Sequence, residues 1–413
     1  MKNGHIISGI DIGNSQIKVV IAKVDRETLQ PEIIGAGSAS SNGLRRGMVV
    51  DMEETIEDIR TAVQQAQAMA GVTIKQAYLS VNGLHIQTQI SRGVIAVSRA
   101  DNEISQSDIE RVMQAASVVS LPANREIVHV LPRTFVVDGT EYVKNPLGMK
   151  GVRLEADVFI IDGLSPYLRN IARCVNENGI EVAGLVYAPL AASLSALDKN
   201  QKEYGVMNLD FGGGTSSLTI FEENDLVHSA IFPVGSRHIT NDLAIALRTS
   251  LDVAERIKLE HGSTSEGEDG RRRDNIDLSQ AMNEEGYTAS RKQLIRVVDA
   301  RAQELLDMVH TELKKLNKNG LLPAGVVLSG GGANLPGFAK LVKEYLRLPV
   351  RIARPANVIG TSDIVQDPSY MVAIGLVLWG MEQELAGTKS RPLLGDSDGF
   401  VRKALSWLKN FLP

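Results

Sequence analysis

Two kinds of hydrophobic pattern alternate along the chain, and together they predict a mixed α/β protein. Runs rich in Ile and Val, bounded by turn residues, predict strands at 6–12, 17–24 and 33–39. Apolar residues then recur every three or four positions from Met52 to Ala70, with Asp51 placed to cap a helix and Gly71 placed to end it. A further strand is predicted at 77–81, so the first eighty or so residues form one α/β unit.

The second half of the chain repeats this opening. A strand that ends at Asp210 is followed by a turn and a second strand at 217–221, in the same way as the strand that ends at Asp11. Helical patterns are predicted before this point at 166–179 and 189–197, around a strand at 184–187, and after it at 239–247, 251–261, 290–317 and 370–383. A repeated order of elements predicts two related lobes.

The segment between the two halves has a different texture. Residues 84–162 contain predicted strands at 93–97, 127–131 and 158–161 around one helix near 107–120, which indicates an inserted α+β subdomain. Residues 262–275 are too polar to bury and are predicted to form a surface loop.

Length and composition agree with a multi-lobed soluble protein. The 413 residues exceed what one core usually supports, and the apolar fraction of 43% is ordinary. No apolar run approaches the roughly 20 residues that span a bilayer, and the first residues do not read as a signal peptide, so we expect a cytosolic chain. Cys174 is the only cysteine, which excludes an intramolecular disulfide and a cysteine-based metal site. The net charge of −5 gives no general reason to expect nucleic-acid binding.

Two short turns carry the main chemical signal. Residues 9–16 and 208–215 each bring an aspartate to the end of an apolar strand and turn the chain at a glycine. Either turn alone is also typical of an ordinary hairpin. Paired in repeated halves, and joined by a third glycine-rich turn at 329–332, they predict a clamp for the phosphates of a nucleotide, with Asp11 and Asp210 holding a hydrated Mg²⁺. The predicted contacts are Asp11, Gly13, Asn14, Ser15, Gln16, Lys18, Asp210, Gly212, Gly213, Gly214, Thr215, Gly330, Gly331 and Gly332.

These turns belong to a nucleotide fold of a particular kind. Neither a Gly-x-x-x-x-Gly-Lys-Ser/Thr loop nor a Gly-x-Gly-x-x-Gly that opens a helix is found in the chain. Five segments resemble, in order, the nucleotide-site segments of the actin, Hsp70 and sugar-kinase superfamily: Gly-Ile-Asp-Ile-Gly from residue 9, Pro-Leu-Ala-Ala-Ser from 189, Leu-Asp-Phe-Gly-Gly-Gly-Thr from 209, Leu-Ser-Gly-Gly-Gly-Ala from 328 and Met-Val-Ala-Ile-Gly-Leu from 371. Residues 254–258 resemble its adenosine-contacting helix, which adds Glu255 and Lys258 to the predicted site.

Within this superfamily the chain resembles the FtsA family of bacterial cell-division proteins. The similarity includes residues 80–85, 148–155 and 233–244, and it extends over nearly the whole chain. It implies an α/β protein with a duplicated actin-like (ribonuclease H-like) two-lobe fold, an inserted α+β subdomain and a C-terminal amphipathic helix. The predicted limits are 1–83 with 163–198 for the first core lobe (1A), 84–162 for the insertion (1C), 199–235 with 312–385 for the second core lobe (2A), 236–311 for subdomain 2B, 386–398 for a linker and 399–413 for the terminal helix.

The last fourteen residues are strongly amphipathic. Plotted as a helix, the apolar residues fill one side and the cationic residues the other, and no acidic residue follows Asp398. Many such helices dock on their own protein, but a polar linker and three aromatic residues favour binding to an anionic membrane surface. The residues assigned to the membrane are Phe400, Val401, Arg402, Lys403, Leu405, Trp407, Leu408, Lys409, Phe411 and Leu412.

The family resemblance also implies partners. In the resembling family the lobe that contains the long predicted helix receives the C-terminal tail of the tubulin-like protein FtsZ, which makes Lys292, Arg296 and Arg301 candidate contacts. The implied function is an ATP-binding protein that polymerises with itself, works with other division proteins and tethers the FtsZ ring to the membrane. We therefore expect a peripheral location on the cytoplasmic face of the inner membrane, at the septum.

Hydrolysis of the nucleotide is expected to be weak or absent. Hydrolysing members of the superfamily place a Glu or Gln at the position of Ala188, and alanine cannot orient the attacking water. We therefore assign no catalytic residue and leave enzymatic turnover open. Two alternatives remain: a small-molecule kinase of the same superfamily, for which no catalytic aspartate is evident, and a shape-determining actin-like filament protein, which would lack the insertion.

Overall fold

The computed structural model describes residues 5–25, 29–265, 275–283, 285–318, 320–356, 358–360 and 362–385. The predicted linker, the terminal helix with its membrane residues, and most of the predicted polar loop lie outside these residues.

The strands, in chain order, are β1 (His5–Ile12), β2 (Gln16–Val24), β3 (Pro31–Ser40), β4 (Leu44–Arg45), β5 (Met48–Val49), β6 (Gln76–Val81), β7 (Gln87–Ala96), β8 (Arg125–Val137), β9 (Thr140–Val143), β10 (Arg153–Leu164), β11 (Glu181–Tyr187), β12 (Val206–Phe211), β13 (Ser216–Glu222), β14 (Asp225–Phe232), β15 (Asn275–Asp277), β16 (Thr288–Ser290), β17 (Val326–Ser329), β18 (Val350–Ile352) and β19 (Ile359–Gly360).

The helices are α1 (Met52–Ala70), α2 (Gln106–Ser117), α3 (Ser165–Asn176), α4 (Ala188–Ala196), α5 (Lys199–Tyr204), α6 (Ser236–Leu247), α7 (Leu251–His261), α8 (Ser279–Met282), α9 (Arg291–Lys315), α10 (Phe338–Leu346), α11 (Ser362–Gln366) and α12 (Met371–Leu385). Two 3₁₀ turns occupy Gly331–Asn334 and Pro368–Tyr370.

The two halves of the chain build sheets of the same design. In the first half the strand order is β11-β6-β1-β2-β3, where β1, β2 and β3 form an antiparallel meander and β6 and β11 run parallel to β1. In the second half β18-β17-β12-β13-β14 repeats that order and those directions. The duplicated actin-like fold that the sequence predicts is confirmed.

Local sequence explains why the elements begin and end where they do. The Asp51 carboxylate accepts a hydrogen bond of 3.0 Å from the Glu54 N–H at the start of α1, and Gly71 ends this helix in the left-handed conformation. Strand β12 is buried along its whole length, as expected for a central strand covered on both faces.

Helices α4 and α12 lie between the two sheets and join the lobes. One hydrophobic core contains Ile7 and Val20 of the first sheet, Phe221 and Val327 of the second, and most of both helices. The backbones of the two helices are so close at Gly375 that a Cβ on this residue would lie 1.8 Å from the Ala191 carbonyl oxygen. Since α12 also packs on β1, β2 and β6, the end of the second half is part of the first lobe's core. The predicted subdomain limits remain a prediction.

The insertion is a four-stranded antiparallel sheet, β7-β10-β8-β9, with α2 on one face. Strands β8 and β10 extend beyond the predicted segments at both ends, and β7 begins well before its predicted start. The buried guanidinium of Arg125 ties its two ends together, since it pairs with Asp162 and donates a 3.0 Å hydrogen bond to the His85 carbonyl oxygen. These contacts lie within the insertion and hold its start and its end together, where the chain enters and leaves it.

Some elements were not predicted. Strand β14 carries polar His228 and Ser229 at its centre, and α5 is short and charged, so neither has a clear periodic pattern. Helix α10 was also not predicted, although its apolar residues face the hydrophobic core of the second lobe. Within the described ranges, none of the helices combines the length and the hydropathy that a membrane-spanning helix needs.

Candidate functional site

The two aspartate turns meet at the same end of the two sheets. Asp11 lies opposite Lys18 in the first hairpin, and Asp210 lies opposite Ser217 in the second. The tips of the two hairpins are in contact, so close that a Cβ on Gly213 would lie 2.0 Å from the Ser15 hydroxyl oxygen. Glycine is therefore required at position 213 for the hairpins to approach this closely.

A cleft of about 590 Å³ opens beside these hairpins. Every residue predicted to contact a nucleotide lines it, with one exception: Gly214 packs under the Asn14 side chain and does not face the cleft. Asn14 itself uses its side-chain oxygen to accept a 2.7 Å hydrogen bond from the Gly47 N–H, so that atom holds the hairpin in place.

The two aspartates sit in surroundings that disfavour their charge. Burial, followed by the nearby negative charge of Asp11, raises the pKa of Asp210 to about 7. Burial also raises the pKa of Asp11, against the lowering effect of a 2.8 Å hydrogen bond from Ser80 and of the Lys18 charge. Two buried carboxylates at one site therefore favour a bound cation, which would make the charged form of both groups less costly.

Lys18 is a cation whose charge acts on both of these carboxylates. Its ammonium group donates a 3.0 Å hydrogen bond to the Ser369 carbonyl oxygen and lies 4.8 Å from the centre of the Tyr370 ring. Burial lowers the pKa of Lys18, while Asp367, Asp11 and Asp210 oppose this shift. Lys18 therefore links the first hairpin to the chain just before α12.

The opposite wall of the cleft comes from α6 and α7. Glu255 and Lys258 form an ion pair of 2.7 Å, and the Lys258 ammonium also donates a 3.0 Å hydrogen bond to the Thr240 hydroxyl. Leu251 and Leu259 of α7 line the cleft, as do Leu335 and Pro336, which follow the third glycine-rich turn. This end of the cleft is more apolar than the hairpin end, as a site for a nucleobase would require.

The third glycine-rich turn lies between these two ends. The Gly330 N–H donates a 2.9 Å hydrogen bond to the Pro368 carbonyl oxygen, which joins the turn to the segment before α12. Gly331 and Gly332 begin the 3₁₀ turn, and all three glycines line the cleft.

Several lining residues were not predicted from the sequence. Asn82 follows β6, and its amide lies 3.5 Å from the Thr215 hydroxyl of the other lobe. Ser41 follows β3 and is almost fully buried, and Arg237 lies in the first turn of α6. Their positions, just after a strand or at the start of a helix, were the signal in the sequence that could have identified them. They were not predicted because none of them lies in a glycine-rich turn. Ala188 also lines the cleft, and its methyl group offers no hydrogen-bonding atom.

The predicted partner residues lie elsewhere. Lys292 and Arg296 are exposed on α9, outside the cleft lining. Arg301 is half-buried and makes a bidentate ion pair with Asp242, with N–O distances of 2.8 and 3.0 Å. The structure therefore leaves Lys292 and Arg296 accessible and holds Arg301 within its own lobe.

The acidic groups of the cleft suit a hydrated, hard cation. Within the described ranges no group of three or more His, Cys, Asp or Glu side chains could hold a metal by itself. Mg²⁺ is commonly bound by one or two carboxylates together with water and phosphate oxygens, and Asp11 and Asp210 provide that donor set. The residues thus fit Mg²⁺ bound with a phosphate ligand.

Two duplicated lobes that meet at paired aspartate hairpins define a protein of the actin-like class. A chain of the PilM-PilN type IV pilus biogenesis complex superposes with a TM-score of 0.67 at 16% identity, covering 91% of this chain and 98% of that chain. MreB5 of Spiroplasma citri, in a structure with ADP, superposes with a TM-score of 0.54 at 15% identity, covering 92% of this chain and 98% of that chain.

Sequence comparison places the chain more closely: it belongs to the FtsA family of cell division proteins. The family model described as "Cell division protein FtsA" matches residues 207–375, and "SHS2 domain inserted in FTSA" matches 83–162. FtsA of Pseudomonas aeruginosa is 36% identical, covering 94% of this chain and 92% of the relative. FtsA of Bacillus subtilis is 38% identical, covering 91% of this chain and 84% of the relative. FtsA of Escherichia coli is 31% identical, covering 98% of this chain and 97% of the relative.

Proposed function

We propose that this chain binds ATP with Mg²⁺ between its lobes and, as an assembled protein, tethers the FtsZ ring to the cytoplasmic membrane at the division septum. The observation that carries the nucleotide part is the meeting of two aspartate hairpins, one from each half of the chain, at one cleft. Its volume of about 590 Å³ lies in the range of small-molecule sites.

The chemistry of the cleft supports ATP as the ligand. Backbone N–H groups of the hairpins would bind the phosphates, Asp11 and Asp210 would hold the hydrated cation, and the α7 side would receive the nucleoside. The bound Mg²⁺ would neutralise phosphate charge. The related fold of MreB5, in a structure with ADP, also supports a nucleotide.

Turnover of the nucleotide is proposed to be slow. Ala188 lines the cleft at the start of α4, where a Glu or Gln would be needed to orient water toward the terminal phosphate. A purified-protein assay of phosphate release is expected to give a rate far below that of vigorous ATPases of this fold. A comparably fast rate would contradict the proposal.

Membrane attachment is proposed to reside in residues 399–413. Plotted as a helix, this sequence has an apolar face with Trp407 and two phenylalanines, opposite Arg402, Lys403 and Lys409, and such a helix suits an anionic bilayer surface. Exposed Lys292 and Arg296 on α9 are the proposed contacts for the C-terminal tail of FtsZ, and other copies of this chain and other division proteins are the remaining proposed partners.

The tethering proposal is tested by co-sedimentation with vesicles that contain anionic lipid. The full chain is expected to pellet with the vesicles, and a chain ending at Gly399 is expected to stay in solution. Full-length protein with Trp407→Ser and Phe411→Ser serves as a matched control, because it keeps the charge of the tail and loses apolar area. Equal pelleting of the full and shortened chains would contradict tethering and favour the kinase alternative.

A further inference from the structure

Arg237 is held at the junction of the two hairpins. It lies in the first turn of α6, and its backbone N–H donates a 2.8 Å hydrogen bond to the Gly213 carbonyl oxygen. The neighbouring Ser236 N–H bonds the Gly212 carbonyl oxygen at 2.9 Å. The start of α6 is thus bound to the backbone of the second hairpin, so Arg237 must move with that hairpin.

The side chain of Arg237 crosses to the first lobe. One terminal nitrogen of its guanidinium lies 3.3 Å from the Asn14 carbonyl oxygen at the tip of the first hairpin. This acceptor is neutral and the bond is long, whereas a guanidinium offers five N–H donors. Most of its hydrogen-bonding capacity therefore remains for another acceptor in the cleft that it lines.

Charge distinguishes Arg237 from the other cations of the cleft. The cationic side chains in the lining are Lys18, Arg237 and Lys258. Lys258 is paired with Glu255, and Lys18 is attracted by Asp11, Asp210 and Asp367. Across the described ranges no carboxylate forms an ion pair with Arg237, so an anionic ligand could pair with this guanidinium without displacing a carboxylate.

We infer that Arg237 is a phosphate-binding residue that the second lobe contributes to the nucleotide site. The inference rests on the proposed ATP binding and adds a residue outside the three glycine-rich turns. A guanidinium binds phosphate oxygens through two parallel, charge-assisted hydrogen bonds, which are stronger than a bond to a neutral carbonyl. Because the same side chain reaches Asn14, phosphate bound to Arg237 also lies where both hairpins are in contact.

The test compares ligands that share a nucleoside and differ in charge. Dissociation constants of ATP, ADP and adenosine are measured by calorimetry for the full chain, for Arg237→Gln and for Arg237→Lys. Arg237→Gln is expected to raise the dissociation constants of ATP and ADP about 10- to 100-fold and to change that of adenosine less than about twofold. Arg237→Lys keeps the positive charge but loses the paired donors of the guanidinium. It is expected to give an intermediate loss of ATP and ADP affinity.

Lys340→Ala is the matched control for net charge. Lys340 is exposed on α10 of the second lobe and does not line the cleft, so its removal is expected to leave all three affinities unchanged. Thermal unfolding of each variant reports whether the fold persists, and Arg237→Lys provides a second, milder change if Arg237→Gln unfolds.

The outcomes separate the inference from the function on which it rests. Unchanged ATP affinity in Arg237→Gln, or equal losses for ATP and adenosine, would overturn the inference while ATP binding stands. If the unaltered chain binds neither ATP nor adenosine, the proposed nucleotide site is itself refuted and the inference with it.

Discussion

Asp210 illustrates how a single side chain depends on both halves of the molecule. It belongs to the second hairpin, yet part of the rise in its pKa comes from Asp11 of the first hairpin. Lys18, also of the first hairpin, acts in the opposite direction. The pKa of Asp210 therefore depends on both lobes, because two of the charges that act on this carboxylate belong to the first hairpin.

Asp210→Asn is expected to change the pH dependence of stability in protein free of metal and nucleotide. With a folded pKa of about 7 against a usual value of 3.8, the folded protein retains a proton that the unfolded chain has lost. Stability of the unaltered chain therefore falls as the pH rises from about 4 to about 7, by about 2–4 kcal/mol. The variant should lack this fall and be the more stable protein at pH 8.

Urea unfolding at pH 5 and pH 8, in the presence of a chelator, measures the effect. Glu110→Gln, which neutralises an exposed carboxylate of the insertion, is the control and should unfold as the unaltered chain does at both values. Parallel pH profiles for Asp210→Asn and the unaltered chain would show that Asp210 is ionised in both states.

Helices α4 and α12 decide how close the lobes lie. Both are apolar on nearly all sides, which is typical of helices buried between two layers. Small residues at their crossing let the backbones approach, and α12 then covers β1, β2 and β6. Since the segment before α12 also holds Lys18, the packing of this helix pair is connected directly to the cleft.

Gly375→Ala is expected to destabilise the protein by about 2 kcal/mol or more, because the added methyl group would overlap the Ala191 carbonyl oxygen at 1.8 Å. Thermal and urea unfolding measure the change. Gly331→Ala is the matched control, since a Cβ there meets only the Ser369 Cβ at 3.9 Å. Equal stability of the two variants would mean that α4 and α12 can separate without cost.

Taken together, the described residues form two similar lobes with one insertion, and the cleft belongs to neither lobe alone. Its lining residues come from turns near positions 11, 210 and 330, which follow β1, β12 and β17, and from helices α6 and α7. The insertion contributes no residue to this lining. A ligand in the cleft should therefore stabilise the lobes jointly.

Hydrogen exchange with and without Mg-ATP tests this joint response. Protection is expected at 9–18, 208–217 and 329–334 together, with little change in the sheet of the insertion. At about 100 times the dissociation constant the ligand should add about 2.7 kcal/mol to the stability of the folded state. ADP at matched saturation is the control for phosphate number. Protection confined to a single lobe would contradict a shared site.

Periodicity and turn chemistry were sufficient for many of the elements and for the repeat. The cap at Asp51, the stop at Gly71 and the two aspartate turns are local features, because each depends on residues within a few positions along the chain. The duplicated fold could be predicted since both halves carry the same order of local signals. Strand β14 and helix α5 could not, because their formation depends on a neighbouring strand or on the contacts of their ends.

The charges and neighbours within the cleft depend on folding. The raised pKa of Asp210, the contact of Ser15 with Gly213 and the reach of Arg237 to Asn14 all join residues about two hundred positions apart. Electrostatic and steric effects act through space, so linear spacing carries no record of them. Local sequence therefore determined which residues could bind a phosphate, whereas the packing of the lobes determined which of them face the cleft and which, such as Gly214, support it from behind.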